Sequence, residues 1–149
     1  MTQFPDDRGA EMRTLFFESA AELLQALNDD ALRLEAHPSD RETVRSIRRS
    51  VHTLKGDSAV MGFREMSELA HELEDVLAPE AVSFQGGELA EVVLSAADMF
   101  DAMLAAYRGG LEPPNGDPLR SMIWKLGQRG STTAAPAAPT PRRSGGRWA

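Results

Sequence analysis

Apolar residues recur at spacings of three, four and seven along most of the chain, with no long strand-like alternation. The first periodic run spans about Gly9 to Ala36, with Met12, Leu15, Phe16, Leu23, Leu27 and Leu34 on its apolar stripe. His37-Pro38 ends it, because a residue before proline is pushed out of the helical region. Ser39-Asp40-Arg41-Glu42 reads as a capping box that opens a second helix. That helix runs to about Met61, with Gly62 as its stop. Its core stripe is Val44, Ile47, Val51, Leu54 and Ser58. A third helix spans about Arg64 to Leu77 and stops before Pro79; a loop follows, ending Gln85-Gly86-Gly87. A fourth runs from about Glu88 to Arg108, with Val92, Leu94, Met99, Met103 and Leu104 among its apolar positions, and Gly109-Gly110 closes it. Asp117-Pro118 reads as an N-cap followed by proline at the first helical position of a short fifth helix ending near Gln128.

Short connections between amphipathic helices imply antiparallel neighbours. The expected class is all-α: an antiparallel four-helix bundle with a short fifth helix. Residues 1–8 are expected to be an N-terminal extension and 9–129 the bundle. From 130 to 149 the composition shifts to Thr, Ala, Pro and Arg, which reads as a disordered tail or linker.

Composition narrows the function classes. With 42% hydrophobic residues in 149, the chain has enough apolar surface for a real core. No cysteine is present, which excludes disulfides, thiolate metal sites and cysteine nucleophiles. A net charge of −7 argues against a nucleic-acid binder and leaves room for a partner with a basic surface. No apolar run approaches the roughly 20 residues that span a bilayer, and the acidic start lacks the blocks of a signal peptide, so the expected location is the cytoplasm.

The stretch that carries chemistry is Arg48-Arg49-Ser50-Val51-His52-Thr53-Leu54-Lys55-Gly56-Asp57-Ser58-Ala59. His52 lies one position past the core residue Val51, about 100° round the helix, which places its ring at the edge of the buried stripe with part exposed. Lys55 and Gly56 follow at three and four positions, so both neighbour it on the surface. A neutral imidazole is a nucleophile near pH 7, and a phosphoryl group on it would carry close to two negative charges that Lys55 can offset in part. Gly56 costs about 1 kcal/mol in a helix interior relative to alanine. A surface kept bare for an incoming protein would explain it, and Ala59 is the next small residue in that direction.

His52-Thr53-Leu54-Lys55-Gly56 resembles the H-x-[LI]-K-G motif of histidine phosphotransfer (HPt) domains, most closely the N-terminal domain of CheA-type chemotaxis histidine kinases. The resemblance covers about residues 11 to 128. It implies that His52 is phosphorylated on Nε2, that Lys55 supports the charge, and that His71 and Glu74 on the next helix complete the site. The implied partners are a histidine kinase catalytic domain as donor and a response-regulator receiver domain as acceptor, with a monomer suiting a carrier. Apart from the resemblance, a carboxylate at Glu74 accepting from Nδ1–H would fix the ring's tautomer and leave Nε2 bare. Gly56-Asp57-Ser58-Ala59 departs from the glycine-rich CheA-type pattern and looks more like stand-alone phosphotransfer proteins; Asp57 adds negative charge near the site.

Other readings compete. A helical bundle that only docks a kinase or receiver would need no nucleophile at His52. Glu68-x-x-His71 matches one half of a di-iron pattern, but no second such pair occurs, so neither metal nor cofactor is expected. No glycine-rich nucleotide loop occurs, so the module is read as a carrier without an ATP site of its own. His37 reads as solvated. Arg48 and Arg49 form a solvated face by default, with Arg48 also a candidate for meeting an acidic receiver surface.

Overall fold

The computed structural model describes residues 3–78 and 86–130, which form five helices in the order α1 (Gln3–Ala36), α2 (Arg41–Val60), α3 (Arg64–Val76), α4 (Gly86–Arg108) and α5 (Asp117–Gly130). No strand occurs among them. The loop expected to end at Gln85-Gly86-Gly87 lies outside these residues up to Gln85, and its two glycines open α4, two residues before the expected Glu88; the tail expected beyond Gly130 lies outside them too.

α1 packs on α2 and α4, α2 on α3, and α5 against both α3 and α4. Cross-links give the directions. The Arg13 guanidinium, near the start of α1, donates to the Tyr107 carbonyl at the end of α4 at 3.2 Å. Ser46 Oγ in α2 donates to Asp30 Oδ2 in α1 at 2.6 Å. Ser67 Oγ in α3 donates to the Lys55 carbonyl in α2 at 3.2 Å. The α1–α4, α1–α2 and α2–α3 pairs are antiparallel, so the four-helix bundle is of the expected kind. Phe100, Leu27, Leu34, Ile47, Leu54, Met66, Leu69 and Met103 are almost wholly buried at its centre.

α2 is the element that matters for chemistry, and both its ends are fixed locally. Its cap is Asp40 rather than Ser39: the amides of Glu42 and Thr43 donate to Asp40 Oδ1 at 3.1 and 3.4 Å. The Thr43 hydroxyl donates to Oδ2 at 2.8 Å, and these bonds hold the Asp40 carboxyl below the usual carboxylate range. A carboxylate outcompetes the serine hydroxyl beside it because it also complements the helix dipole. At the other end Gly62 takes φ +80. Its amide donates to Ala59 O at 3.0 Å and that of Phe63 to Ser58 O at 2.9 Å, a Schellman turn. Phe63 then stacks on Tyr107 with ring centroids 4.0 Å apart and meets Phe16 at 5.3 Å. The α2–α3 turn is thereby anchored in the core.

Two helix starts and one apolar stripe also differ from the sequence expectation. α1 begins at Gln3, six residues before Gly9, with Pro5 accommodated in the first turn where its missing N–H is not needed. Within α1, Met12 and Leu15 are 49% and 65% exposed, while Phe17, Ala20, Leu24 and Ala31 join Phe16, Leu27 and Leu34 in the core. The stripe is set by what faces α2 and α4, and two alanines belong to it because they let the helices approach. α5 starts on Asp117 itself, so Gly116 takes the cap position, and Asn115 Oδ1 just before it accepts the Asp117 amide at 2.9 Å.

Candidate functional site

Arg48, His52 and Lys55 are spaced four and three apart on α2, so they share the face turned toward α3. Beneath them, Val51 and Leu54 are buried and hold the helix register. From α3, Glu74 reaches into this row. Its side chain is only 11% exposed, whereas that of His52 is 64% exposed. The His52 ring thus stands at the edge of the core, wet on one side, as its position after Val51 predicts.

His52 Nδ1 lies 2.8 Å from Glu74 Oε2. A carboxylate only accepts, so Nδ1 carries the proton and Nε2 keeps its lone pair toward solvent. Lys55 Nζ pairs with Glu74 Oε1 at 2.7 Å. An Arg48 guanidinium nitrogen stands 3.8 Å from Oε2, the same oxygen that receives His52. Burial pushes the Glu74 carboxyl up, but the hydrogen bonds and charges of Lys55 and His52 outweigh it and hold the group below the usual range. Glu74 is therefore an ionised carboxylate at neutral pH, nearly sealed from water.

Gly56 is exposed, and a Cβ there would meet nothing within 4 Å. The chain's own packing does not require glycine at this position. Ala59 and Val60 continue the small, uncharged surface on the same side of His52, both exposed. On the other side, toward the start of α2, a groove of about 660 Å³ runs beside His52; Arg41, Arg45, Arg48 and Arg49 line it over an apolar floor of Val44 and Leu77.

His71 is not drawn into this group. Its Nε2 faces Asp75 Oδ2 at 3.7 Å on the exposed side of α3, and no hydrogen bond or ion pair links it to His52 among the described residues. Nor do those residues include any cluster of three or more His, Asp or Glu side chains suited to a metal ion. His37 is exposed at the α1–α2 turn. Sequence reasoning overlooked Arg48 as a second cation beside Glu74, although its spacing of four before His52 was visible. It also missed Ser67, which ties α3 to the Lys55 carbonyl. No described helix is long and apolar enough to cross a membrane.

Comparison with known proteins agrees with this fold. The family model described as the Hpt domain matches residues 11–110. Chemotaxis protein CheA of Listeria monocytogenes is 52% identical over 66 residues, which cover 44% of this chain and 11% of that protein. Chemotaxis protein CheA of Treponema pallidum is 32% identical over 113 residues, covering 74% of this chain and 14% of the relative. The chain thus spans about an eighth of the length of these relatives. Among solved structures, the phosphorylated P1 domain of CheA3 in complex with CheY6 from R. sphaeroides superposes with a TM-score of 0.67 at 28% identity, covering 82% of this chain and 97% of that one.

Proposed function

Because the chain belongs to the Hpt domain family, we propose that it is a phosphocarrier whose His52 accepts a phosphoryl group from a kinase domain and passes it to a receiver aspartate. The observation that carries this reading is the 2.8 Å contact of a largely exposed imidazole with a buried carboxylate.

The lone pair on His52 Nε2 attacks the γ-phosphorus of an ATP held by the kinase. The N–P bond forms, the bridging P–O bond breaks, and ADP leaves with the electron pair. The ring gains positive charge as the bond forms, and Glu74 stabilises that charge through the Nδ1 proton. Lys55 and Arg48 offset the phosphoryl oxygens. In the second step an aspartate oxygen of the receiver attacks the phosphorus, the N–P bond breaks, and the neutral imidazole returns. The receiver brings its own carboxylate and Mg²⁺. In-line attack requires the partner's reactive atom within about 3 Å of the ring, and the bare strip at Gly56 and Ala59 suits the receiver's approach.

The resemblance to a CheA P1 domain solved with a CheY protein supports a receiver as the acceptor. The likeness to CheA proteins and to the sensor histidine kinase CheAY of Helicobacter pylori supports a kinase as the donor. On this reading the module works as a monomer in the cytoplasm, where ATP and receivers are found. A docking bundle without chemistry would need neither the imidazole nor its carboxylate. The test is to incubate the chain with a CheA-type kinase domain and labelled ATP. Acid-labile, base-stable label that disappears in His52→Gln is expected; equal labelling of that variant rejects His52 as the acceptor.

A further inference from the structure

The two sides of His52 differ in chemistry. Toward the end of α2 the surface is Gly56, Ala59 and Val60, uncharged and low. Toward the start lies the groove with Arg41, Arg45, Arg48 and Arg49 on its walls. Twelve residues separate Arg41 from Thr53, about 18 Å of helix at 1.5 Å per residue. That length suits a protein segment of about three helical turns. An ATP triphosphate alone would fill only the His52 end.

The charge of this groove runs against that of the whole molecule. The chain carries −7 overall, yet four arginines line this groove and its one acidic lining residue is Glu74, which His52 and Lys55 already engage. Arg45 pairs with Glu42 at 2.8 Å, but both side chains are exposed and water competes for that contact. Arg41 and Arg49 have no ion pair among those found in the described residues. Such a stripe steers an anionic surface toward the ring.

We infer that the Arg41–Arg49 groove docks an acidic segment of the phosphoryl donor, the kinase domain, and not the receiver. This rests on the phosphocarrier reading. A phosphoryl group on His52 adds nearly two negative charges at the mouth of the groove. The cationic field that attracts an acidic donor to the empty carrier is then largely cancelled. The donor binds the unphosphorylated form and leaves the phosphorylated one. The receiver must bind the phosphorylated form, when the groove has lost its attraction, so it relies on the uncharged strip instead. Arg41 and Arg45 lie two to three turns from the ring and contribute to docking alone.

The decisive variant is Arg41→Gln with Arg45→Gln, compared with wild type in three reactions. The first is labelling by a CheA-type kinase domain and ATP that label the wild-type chain. The second is labelling by phosphoramidate, a small donor that needs no docking surface. The third is transfer from the purified phosphorylated chain to a receiver domain. The expected result is a fall of about tenfold or more in kcat/KM for the kinase, carried by KM, with a flatter dependence on salt. Phosphoramidate labelling and transfer to the receiver stay within about twofold. Arg41→Lys with Arg45→Lys restores the kinase reaction. Kinase kinetics within twofold of wild type overturn the inference. So does an equal loss in the receiver step, which assigns the groove to both partners, or an equal loss with phosphoramidate, which marks a general defect of the fold. If the wild-type chain takes label from neither donor, the phosphocarrier reading itself falls, and the donor groove with it.

Discussion

Glu74 Oε2 accepts from His52 Nδ1 at 2.8 Å while Oε1 of the same carboxylate holds Lys55 at 2.7 Å. One buried group thus fixes the ring's tautomer and anchors the nearest cation. Glu74→Gln removes the charge, and its amide can present either its oxygen or its nitrogen to Nδ1. Phosphorylation of His52 should slow by roughly a hundredfold, the scale typical of a misplaced proton in acid–base catalysis. Initial rates with kinase and ATP measure the loss. Nitrogen NMR of the ring should show the Nε2–H tautomer gaining population. An unchanged rate would remove Glu74 from the chemistry.

The same carboxylate sets a pH dependence. Its folded pKa lies below the ordinary value of 4.5, so ionised Glu74 contributes stability in full above that value. The contribution is lost as pH falls through the lower, folded-state pKa. The difference in urea midpoint between wild type and Glu74→Gln should be constant from about pH 7 to pH 5 and shrink steadily below about 4.5. A difference that grows in acid would reverse the sign and refute the assignment.

Gly56 separates stability from function. A Cβ there meets nothing within 4 Å, so Gly56→Ala should raise stability by about 0.5–1 kcal/mol by helix propensity alone. Gly56→Leu should fold equally well but slow transfer to a receiver several-fold by obstruction. Urea unfolding and single-turnover transfer check the two halves. Equal transfer rates for glycine and leucine would show that no partner comes close at this point.

Gly116 makes the opposite case. A Cβ there would stand 2.5 Å from Leu69 Cδ1 and 2.7 Å from Glu65 Oε2. Its amide also donates to that Glu65 oxygen at 3.2 Å. Gly116→Ala should destabilise by about 1–3 kcal/mol, the usual range for overpacking. Phosphoramidate labelling of His52 should change far less. A melting temperature equal to wild type would show that Leu69 and Glu65 shift without strain.

What the sequence revealed of this site follows from where the information is local. The α2 stripe of Val44, Ile47, Val51, Leu54 and Ser58 is buried as its spacing predicts, and the exposure of His52 follows from one step past Val51. Gly62 and Gly110 both take positive φ at the helix ends where glycine was expected to stop them. Contacts between helices were harder to foresee. Met12 and Leu15 fit the period of α1, but which turn faces α2 depends on tertiary packing. His71 and Glu74 are equally plausible from spacing alone; a rotation of about 60° between them on α3 separates a pairing with Asp75 from one with His52. Ser39 and Asp40 compete for one cap, and charge decides it. Arg48 and Arg49 were legible as a charged face, but not the row they form with Arg41 and Arg45 beside Val44 and Leu77.

α5 lies outside the segment matched to the family, which ends at residue 110, yet it grips the helix that carries Glu74. Arg120 donates to Glu72 at 3.1 Å and to Glu65 at 3.2 Å, clamping two turns of α3 at once. A displacement of α5 is therefore felt by α3 through Arg120 as well as through the core packing of Leu119, Ile123 and Leu126. α5 and the helix that carries Glu74 thus form one mechanical linkage, in which Arg120 is the polar coupling.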